Sequence, residues 1–403
     1  MPTSFAERLR AVAPSMTLAM NARAAELRSK GIDVFAFGVG EPDFEPPRFV
    51  CDAAKKAIDD GVTAKYTAVT GIAGLKKAIC EATVRSRGWE PSPDMVTVSV
   101  GAKHALFNVA LALYQPGDEV VIPAPYWVSY PEQVRLFGAT PVHVETREED
   151  GWRMSAAQLE AALTPKTKAV ILCSPSNPTG AAYSEPEMRA LLEVLRKHDC
   201  WLVVDEIYAE LVYDGFKHVS AAKLAPDLRA RTIIIDGVSK SYAMTGWRIG
   251  WSIAPRELAK ALDVVQGQST TNPSAVAQYA ALAALTGPQE EVAKMRASFE
   301  KRRGAMVMGL NSLPGVKCRT PEGAFYAFAD CRGLYGLSWG EKSLKTDEDI
   351  AFWMLDRAHV AAVPGGAFGA PGFVRFSYAT SEERIAKGIE SIRNAIAEAR
   401  KSA

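Results

Sequence analysis

The feature that most constrains this chain is an alternation that runs from about residue 95 to residue 255. Short β-branched or apolar runs are each followed by a longer, helix-like stretch. Val96 to Val100, Glu119 to Ile122, Ala169 to Cys173, Trp201 to Asp205 and Thr232 to Asp236 are predicted strands, and amphipathic stretches such as Glu185 to Lys197 lie between several of them. This is the pattern of a largely parallel sheet covered by helices.

After Pro288 the character changes. A charged helical stretch, Glu290 to Arg303, leads to alternating segments Gly323 to Ala329 and Phe373 to Tyr378, and the chain closes with a helix from Ser381. These predict a separate, smaller α+β unit. The N-terminal residues predict a helix, Ser15 to Lys30, and a short strand, Val34 to Gly38, with too little apolar surface to fold alone, so they are expected to pack with the C-terminal unit. A chain of 403 residues exceeds what one core serves, and the expected division is 1–47 (arm and part of the small domain), 48–289 (large domain) and 290–403 (small domain).

Composition narrows the function. Forty-seven basic against forty-six acidic residues give a net charge of +1, too balanced for the long-range positive field of a nucleic-acid or anionic-membrane binder. The cysteines, Cys51, Cys80, Cys173, Cys200, Cys318 and Cys331, are scattered, with no C-x-x-C pair and no disulfide framework. Glu7, Arg8 and Arg10 interrupt the stretch that a signal peptide would need to be apolar, and no uncharged run reads as a membrane span. The expected location is the cytoplasm. His104, His143, His198, His218 and His359 show no metal-ligand spacing, and no metal is expected.

In open parallel sheets ligands bind beyond the carboxyl ends of the strands, so the residues just after each run are where chemistry belongs. The first run leads to Gly101-Ala102-Lys103 and a helix whose free amides suit a phosphate, although a tight glycine turn before any helix reads the same. AVILC leads to SPSNPTG, where two prolines and a glycine fix a turn and give Asn177 a defined direction, either as a turn former or as an amide donor. WLVV ends in Asp205-Glu206-Ile207-Tyr208; a carboxylate at a buried strand end needs a cationic partner or caps a helix. Glu206 reads as structural. TIIID leads to GVSKSYAMTGWRIGW, which brings Ser239, Lys240 and Arg248 close together, the groups a phosphate needs.

One ligand, pyridoxal 5'-phosphate, uses all of these groups. SPSNPTG, DEIY and SKSYAMTGWRIGW resemble the three central motifs of the class I (fold-type I) pyridoxal-phosphate-dependent aminotransferases. GEPDF, KYTAVTGIAGLKKAI, PYWVSYP and VRFSYATS resemble further segments of that family, especially its bacterial aspartate aminotransferase branch, so the likeness extends over nearly the whole chain. The resemblance implies an α/β fold with a mostly parallel seven-stranded sheet in the large domain, a smaller α+β domain formed by both chain ends, and a homodimer with active sites at the subunit interface.

Residue by residue, the resemblance implies that Lys240 holds the cofactor as a Schiff base and moves the proton. Asp205 keeps the pyridine nitrogen protonated, which makes the ring a better electron sink. Tyr208 and Asn177 hydrogen-bond the ring oxygen and hold it as an anion, which brings the aldimine toward neutrality, whereas an ordinary lysine at ~10.4 stays protonated. Arg248, Ser239 and the amides of Ala102 and Lys103 anchor the phosphate, with Tyr66 reaching in from a second subunit, and Trp127 stacks on the ring. Arg375 clamps the substrate α-carboxylate together with the backbone of Gly40. Since Arg375 and Lys240 belong to different domains, substrate binding favours closure. Each of the outlying residues also has a structural reading: Tyr66 as an intrachain packing residue, Trp127 as core, Arg375 in a salt bridge.

In the aspartate branch a lysine at the position of Lys103 meets the distal carboxylate of the substrate. The resemblance therefore implies aspartate or glutamate as donor and a 2-oxo acid such as 2-oxoglutarate as acceptor, in a ping-pong reaction; the alternative is a solvated lysine at a helix start. Ala102 departs from the usual G-G-K, keeping the amide but restricting the backbone. Relatives that accept prephenate carry a lysine before an N-terminal proline, where this chain has Ala13 before Pro14, which lowers that expectation. Aromatic amino acids remain the rival donors, and β-elimination a rival reaction on the same fold. A non-enzymatic regulator would need an appended DNA-binding helix-turn-helix, whereas this sequence starts almost directly with the arm and helix of the catalytic fold.

Overall fold

The computed structural model describes residues 5–13, 16–340 and 342–401. Its large sheet has seven strands: β1 (Val96–Ser99), β2 (Glu119–Ala124), β3 (Thr140–Glu145), β4 (Thr167–Cys173), β5 (Trp201–Asp205), β6 (Thr232–Gly237) and β7 (Gly250–Ile253). Their order across the sheet is β1-β7-β6-β5-β4-β2-β3. From β6 to β3 every pairing is parallel, while β7 is antiparallel to both β1 and β6. Two antiparallel steps restore direction, so β1 points the same way as β6 and its carboxyl end opens on the same edge.

The five predicted runs all lie in this sheet, which holds two strands more. β3, with the sequence TPVHVE, is an edge strand with only Val144 buried; its mixed polarity and Pro141 disguise it. β7 has the sequence GWSI and hides inside the turn-rich segment after Arg248.

The central runs are apolar without alternation because both faces are covered. Val121, Val170, Leu172, Leu202, Val204 and Ile234 face one core with helices Arg48–Asp59, Ala73–Arg87, Glu185–Arg196 and Ala275–Thr286. Val120, Ile122, Ala169, Ile171, Val203, Ile233 and Ile235 face another, with Ala102–Leu113, Ser129–Leu136 and Arg256–Gly267. Helix Glu185–Arg196 is bounded as its sequence suggests: Ser184 and Glu187 form a capping box, and Pro186 sits in the first turn.

A four-stranded antiparallel sheet joins Val363–Pro364, Phe373–Ser377, Tyr326–Asp330 and Lys317–Cys318 in that order. Its core includes Met295, Phe299 and Met306 from the helix Glu290–Asn311, which runs past Arg303, and Ile385, Ile389 and Ile392 from the helix Glu382–Lys401. The predicted strand from Gly323 starts only at Tyr326, because Ala324 takes a left-handed φ of 59° and Gly323 donates its amide to the Gly180 carbonyl at 2.8 Å. At the other end of the chain, Phe35–Ala36 pairs in parallel with Val360–Ala361. Met20, Ala24 and Leu27 of the helix Met16–Ser29 pack on Ala351, Leu355 and Ala361. Ser15 and Pro14 lie outside the described residues. Among the described residues no helix is long and apolar enough to cross a membrane.

Candidate active site

The carboxyl ends of the parallel strands open into a cavity of about 1040 Å³ between the two sheets. Gly40, Ala102, Lys103, Trp127, Asn177, Asp205, Tyr208, Ser239, Lys240, Arg248 and Arg375 all line it. Tyr66 does not; it is 88% exposed on the surface of the chain.

Lys240 sits in the short helix Val238–Ser241 directly after β6, and its Nζ donates to the Gly40 carbonyl at 2.7 Å. Burial pushes its amine down to about 8; Glu41 pulls it up, while Arg375 and Arg248 push it further down. Asp205 closes β5 and is 4% exposed. Its Oδ2 accepts from the Tyr130 hydroxyl at 2.7 Å and its Oδ1 from the Ile207 amide at 3.2 Å. Burial still raises this carboxyl to about 6 against those two donors.

The helix start after β1 is shaped by two glycines. Gly101 has φ +83°, and a Cβ there would lie 2.5 Å from Arg248 Nη2; at Gly250 on β7 a Cβ would lie 2.2 Å from the Ala102 amide nitrogen. These absences let the Arg248 guanidinium approach Gly101 and β7 approach the start of helix Ala102–Leu113, and buried Ser239 lines the same cavity. Lys103 Nζ lies 4.9 Å from the centroid of the Trp127 ring, and burial, then Arg248, lowers its pKa.

Arg375 enters from the smaller sheet. Its Nη1 donates to Asn177 Oδ1 at 2.9 Å and its Nη2 to the Gly38 carbonyl at 2.8 Å, while its Nε is buried without a partner. The guanidinium lies 4.5 Å from the centroid of the Tyr326 ring and 5.0 Å from that of Phe368. Tyr326 also shares a hydrogen bond of 2.9 Å with the Tyr208 hydroxyl. The arrangement is thus an amine lowered by burial and a buried carboxylate at the strand ends, a guanidinium beside a helix start, and a second, buried arginine from the smaller sheet.

A family model described as "Aminotransferase class I and II" matches residues 32–392. The chain belongs to this family. An aspartate aminotransferase of Rhizobium meliloti is 49% identical over 96% of this chain and 95% of its own length. An aspartate/prephenate aminotransferase of Cereibacter sphaeroides is 49% identical over 94% of this chain and 95% of its own. Among solved structures, the aspartate aminotransferase from Rhizobium meliloti superposes with a TM-score of 0.94 at 48% identity, covering 98% of this chain and 99% of its own. That of Thermus thermophilus with maleate gives a TM-score of 0.91 at 41% identity, covering 98% of this chain and 100% of its own.

This aminotransferase surrounds the expected side chains with residues that sequence reasoning did not single out. Tyr130 stands in the PYWVSYP segment, three positions after Trp127, and its bond to Asp205 spans 75 positions. Tyr326 alternates correctly in GAFYAF to share a face with Phe328, but its partner Tyr208 lies 118 positions away. Cys173, the last residue of β4, lies beside Asp205 in register and lines the cavity. Glu206, read as structural, does not line the cavity.

Proposed function

We propose that this aminotransferase uses pyridoxal 5'-phosphate to transfer the amino group of aspartate or glutamate to a 2-oxo acid such as 2-oxoglutarate, in a ping-pong reaction. The observation that carries the reading is the convergence of the Lys240 amine, the Asp205 carboxylate and the Arg375 guanidinium on one cavity. The residues fit the cofactor on three counts. Asp205 is buried with a phenol and an amide as partners, neither of them a cation. Lys240 is an amine pushed down to about 8. The Ala102 amide, Ser239 and Arg248, all on the cavity wall, suit a phosphate.

When bound, pyridoxal phosphate supplies a ring that accepts the electrons released as an amino-acid α-proton departs. Asp205 places a negative charge at the end of β5, where it would keep a proton on the ring nitrogen of the bound group. Tyr208 and Asn177, which line the same cavity, would offer a hydroxyl and an amide to the ring oxygen. Lys240 Nζ, its amine pushed down to about 8 by burial, accepts and returns the α-proton. Trp127 offers a flat apolar face, and Arg375 with the Gly40 backbone holds the α-carboxylate.

Tyr66 is too exposed to serve its own cavity and suits the phosphate of a second subunit, hence a homodimer. We further propose domain limits of 1–47, 48–289 and 290–403, closure of the small domain on substrate, and a cytoplasmic location. Lys103 on the cavity wall is our reader of the distal carboxylate.

The test is a panel of amino donors, mixed with the cofactor-loaded enzyme while the absorbance of the bound cofactor is followed. Rapid conversion by aspartate and glutamate, lost selectively in Lys103→Ala, is the expected result. Rapid conversion by phenylalanine alone overturns the donor assignment, and an enzyme that carries no cofactor band overturns the whole reading. Prephenate, tested as acceptor in the second half-reaction, addresses the activity named for the Cereibacter sphaeroides relative.

A further inference from the structure

We propose that Arg87, which does not line the cavity, is a positioning residue for amino transfer: its guanidinium ties the strand end that carries Asp205 to the strand that leads into Lys240. The inference rests on the cofactor reading of those two residues and adds a residue to it.

Arg87 is the last residue of the helix Ala73–Arg87, on the far side of the sheet end from the cavity. It is 7% exposed. Nε donates to Glu206 Oε2 at 3.0 Å, Nη2 to Asp236 Oδ2 at 2.5 Å and Nη1 to Glu210 Oε1 at 3.0 Å. Glu206 is the residue after Asp205, just past the end of β5, and its carboxylate is held by Arg87 outside the cavity that Asp205 lines. Holding Glu206 there constrains the backbone from which Asp205 enters the cavity. Asp236 precedes Lys240 by four positions, and its Oδ1 accepts from the Gly237 amide at 2.7 Å, at the turn from β6 into the lysine helix.

One planar fork thus bonds the ends of two adjacent parallel strands, and the Glu206 amide adds a bond to the Ile235 carbonyl at 2.8 Å. A lysine has the charge but not the fork, and cannot hold both carboxylates in fixed geometry. Buried ion pairs contribute little net stability compared with apolar packing, so a cluster that buries Glu206 completely is better explained by what it orients.

The cluster also sets local charge. Glu206, Glu210 and Asp236 face Arg87; His218 Nε2 lies 3.4 Å from Glu206 Oε2, and Arg85, Arg296 and Tyr242 line the neighbouring cavity. Glu41, Asp205, Arg248 and Arg375 bear electrostatically on Lys240, and of these Asp205 stands on the strand end that Arg87 holds. Loss of the Arg87 cation leaves Glu206, whose charge already acts on Asp205, uncompensated, and added negative charge at that strand end favours the protonated form of a group held against Asp205.

The experiment compares cofactor-loaded wild type with Arg87→Lys, Arg87→Ala and the control Arg303→Ala. Arg303 is a buried arginine that donates to the Pro321 carbonyl and to Asp214, each at 2.8 Å, away from the cavity. The readouts are the pH midpoint of the visible absorbance of the bound cofactor, kcat and KM for the amino donor, and Tm. Arg303→Ala is expected to lower Tm with the midpoint unchanged. Arg87→Ala is expected to raise the midpoint by about half a pH unit or more and to lower kcat about tenfold, with KM within about threefold. Arg87→Lys is expected to fall between wild type and Arg87→Ala, and it carries the comparison alone if the alanine variant does not fold. A midpoint in the Arg87 variants equal to that of Arg303→Ala overturns the positioning role and leaves the cofactor reading intact. A wild type without a cofactor band overturns both.

Discussion

Arg375 and Asn177 are joined at 2.9 Å across the boundary between the small and large sheets, the guanidinium donating to the side-chain carbonyl of a residue 198 positions earlier. Its other named hydrogen-bond partner is the Gly38 carbonyl, so this cation is held by neutral oxygens, and burial lowers its pKa. A buried cation with an unpartnered Nε suits the α-carboxylate proposed for it. Replacing Arg375 by lysine removes the bidentate geometry and is expected to lower kcat/KM for every amino donor roughly a hundredfold, with cofactor affinity unchanged. An unaltered donor KM in steady-state assays would contradict this role.

Lys240 provides a pH prediction. Its amine is pushed down to about 8, chiefly by burial, so in the cofactor-free enzyme the rate at which it captures an aldehyde is expected to rise through pH 8 and then level off. An ordinary lysine would keep gaining reactivity toward ~10.4. Glu41 stabilises the charged amine, so Glu41→Gln is expected to move that midpoint below 8. Stopped-flow capture rates between pH 6 and 11 would measure both.

Tyr130 supports the charged form of Asp205. The folded carboxyl, at about 6, lies above its unfolded value near ~3.9, so between those values the native chain holds a proton that the unfolded chain has released. Stability of the cofactor-free enzyme is therefore expected to fall as pH rises through this window. Tyr130→Phe removes a donor to the carboxylate and extends the fall to higher pH, costing about 1 kcal/mol more at pH 8 than at pH 5. Urea midpoints at the two pH values test this; an equal cost at both would place the effect of the hydroxyl elsewhere.

Gly250 is a packing prediction. A methyl group there would meet the Ala102 nitrogen at 2.2 Å and the Gly101 carbonyl carbon at 2.6 Å, both backbone atoms that cannot rotate away. Gly250→Ala is expected to cost about 2 kcal/mol and to weaken cofactor binding by shifting the helix start. Gly246→Ala, with nothing within 4 Å of its added carbon, is expected to stay within about 0.5 kcal/mol of wild type. Chemical denaturation and cofactor titration of the two variants decide it.

Much of the site was legible because its chemistry sits at strand ends. Asp205, Lys240, Asn177 and the Ala102 helix start each follow an apolar run whose length and residue types already indicate a buried strand, and the SPSNPTG, DEIY and SKSYAMTGWRIGW motifs narrow the cofactor further. The edge strand Thr140–Glu145 and the short Gly250–Ile253 escaped notice, since one is half polar and the other is four residues long inside a turn-rich segment.

What the chain determines locally is the order of strands and helices, the caps that bound them and the residues that stand at their ends, because these depend on side chains a few positions apart. Only the tertiary structure decides that Tyr130 meets Asp205, that Tyr326 meets Tyr208 and that Arg87 spans Glu206 and Asp236. Those contacts join segments 75 to 149 positions apart, and their geometry follows from how two sheet faces and a second sheet pack together rather than from any periodicity along the chain.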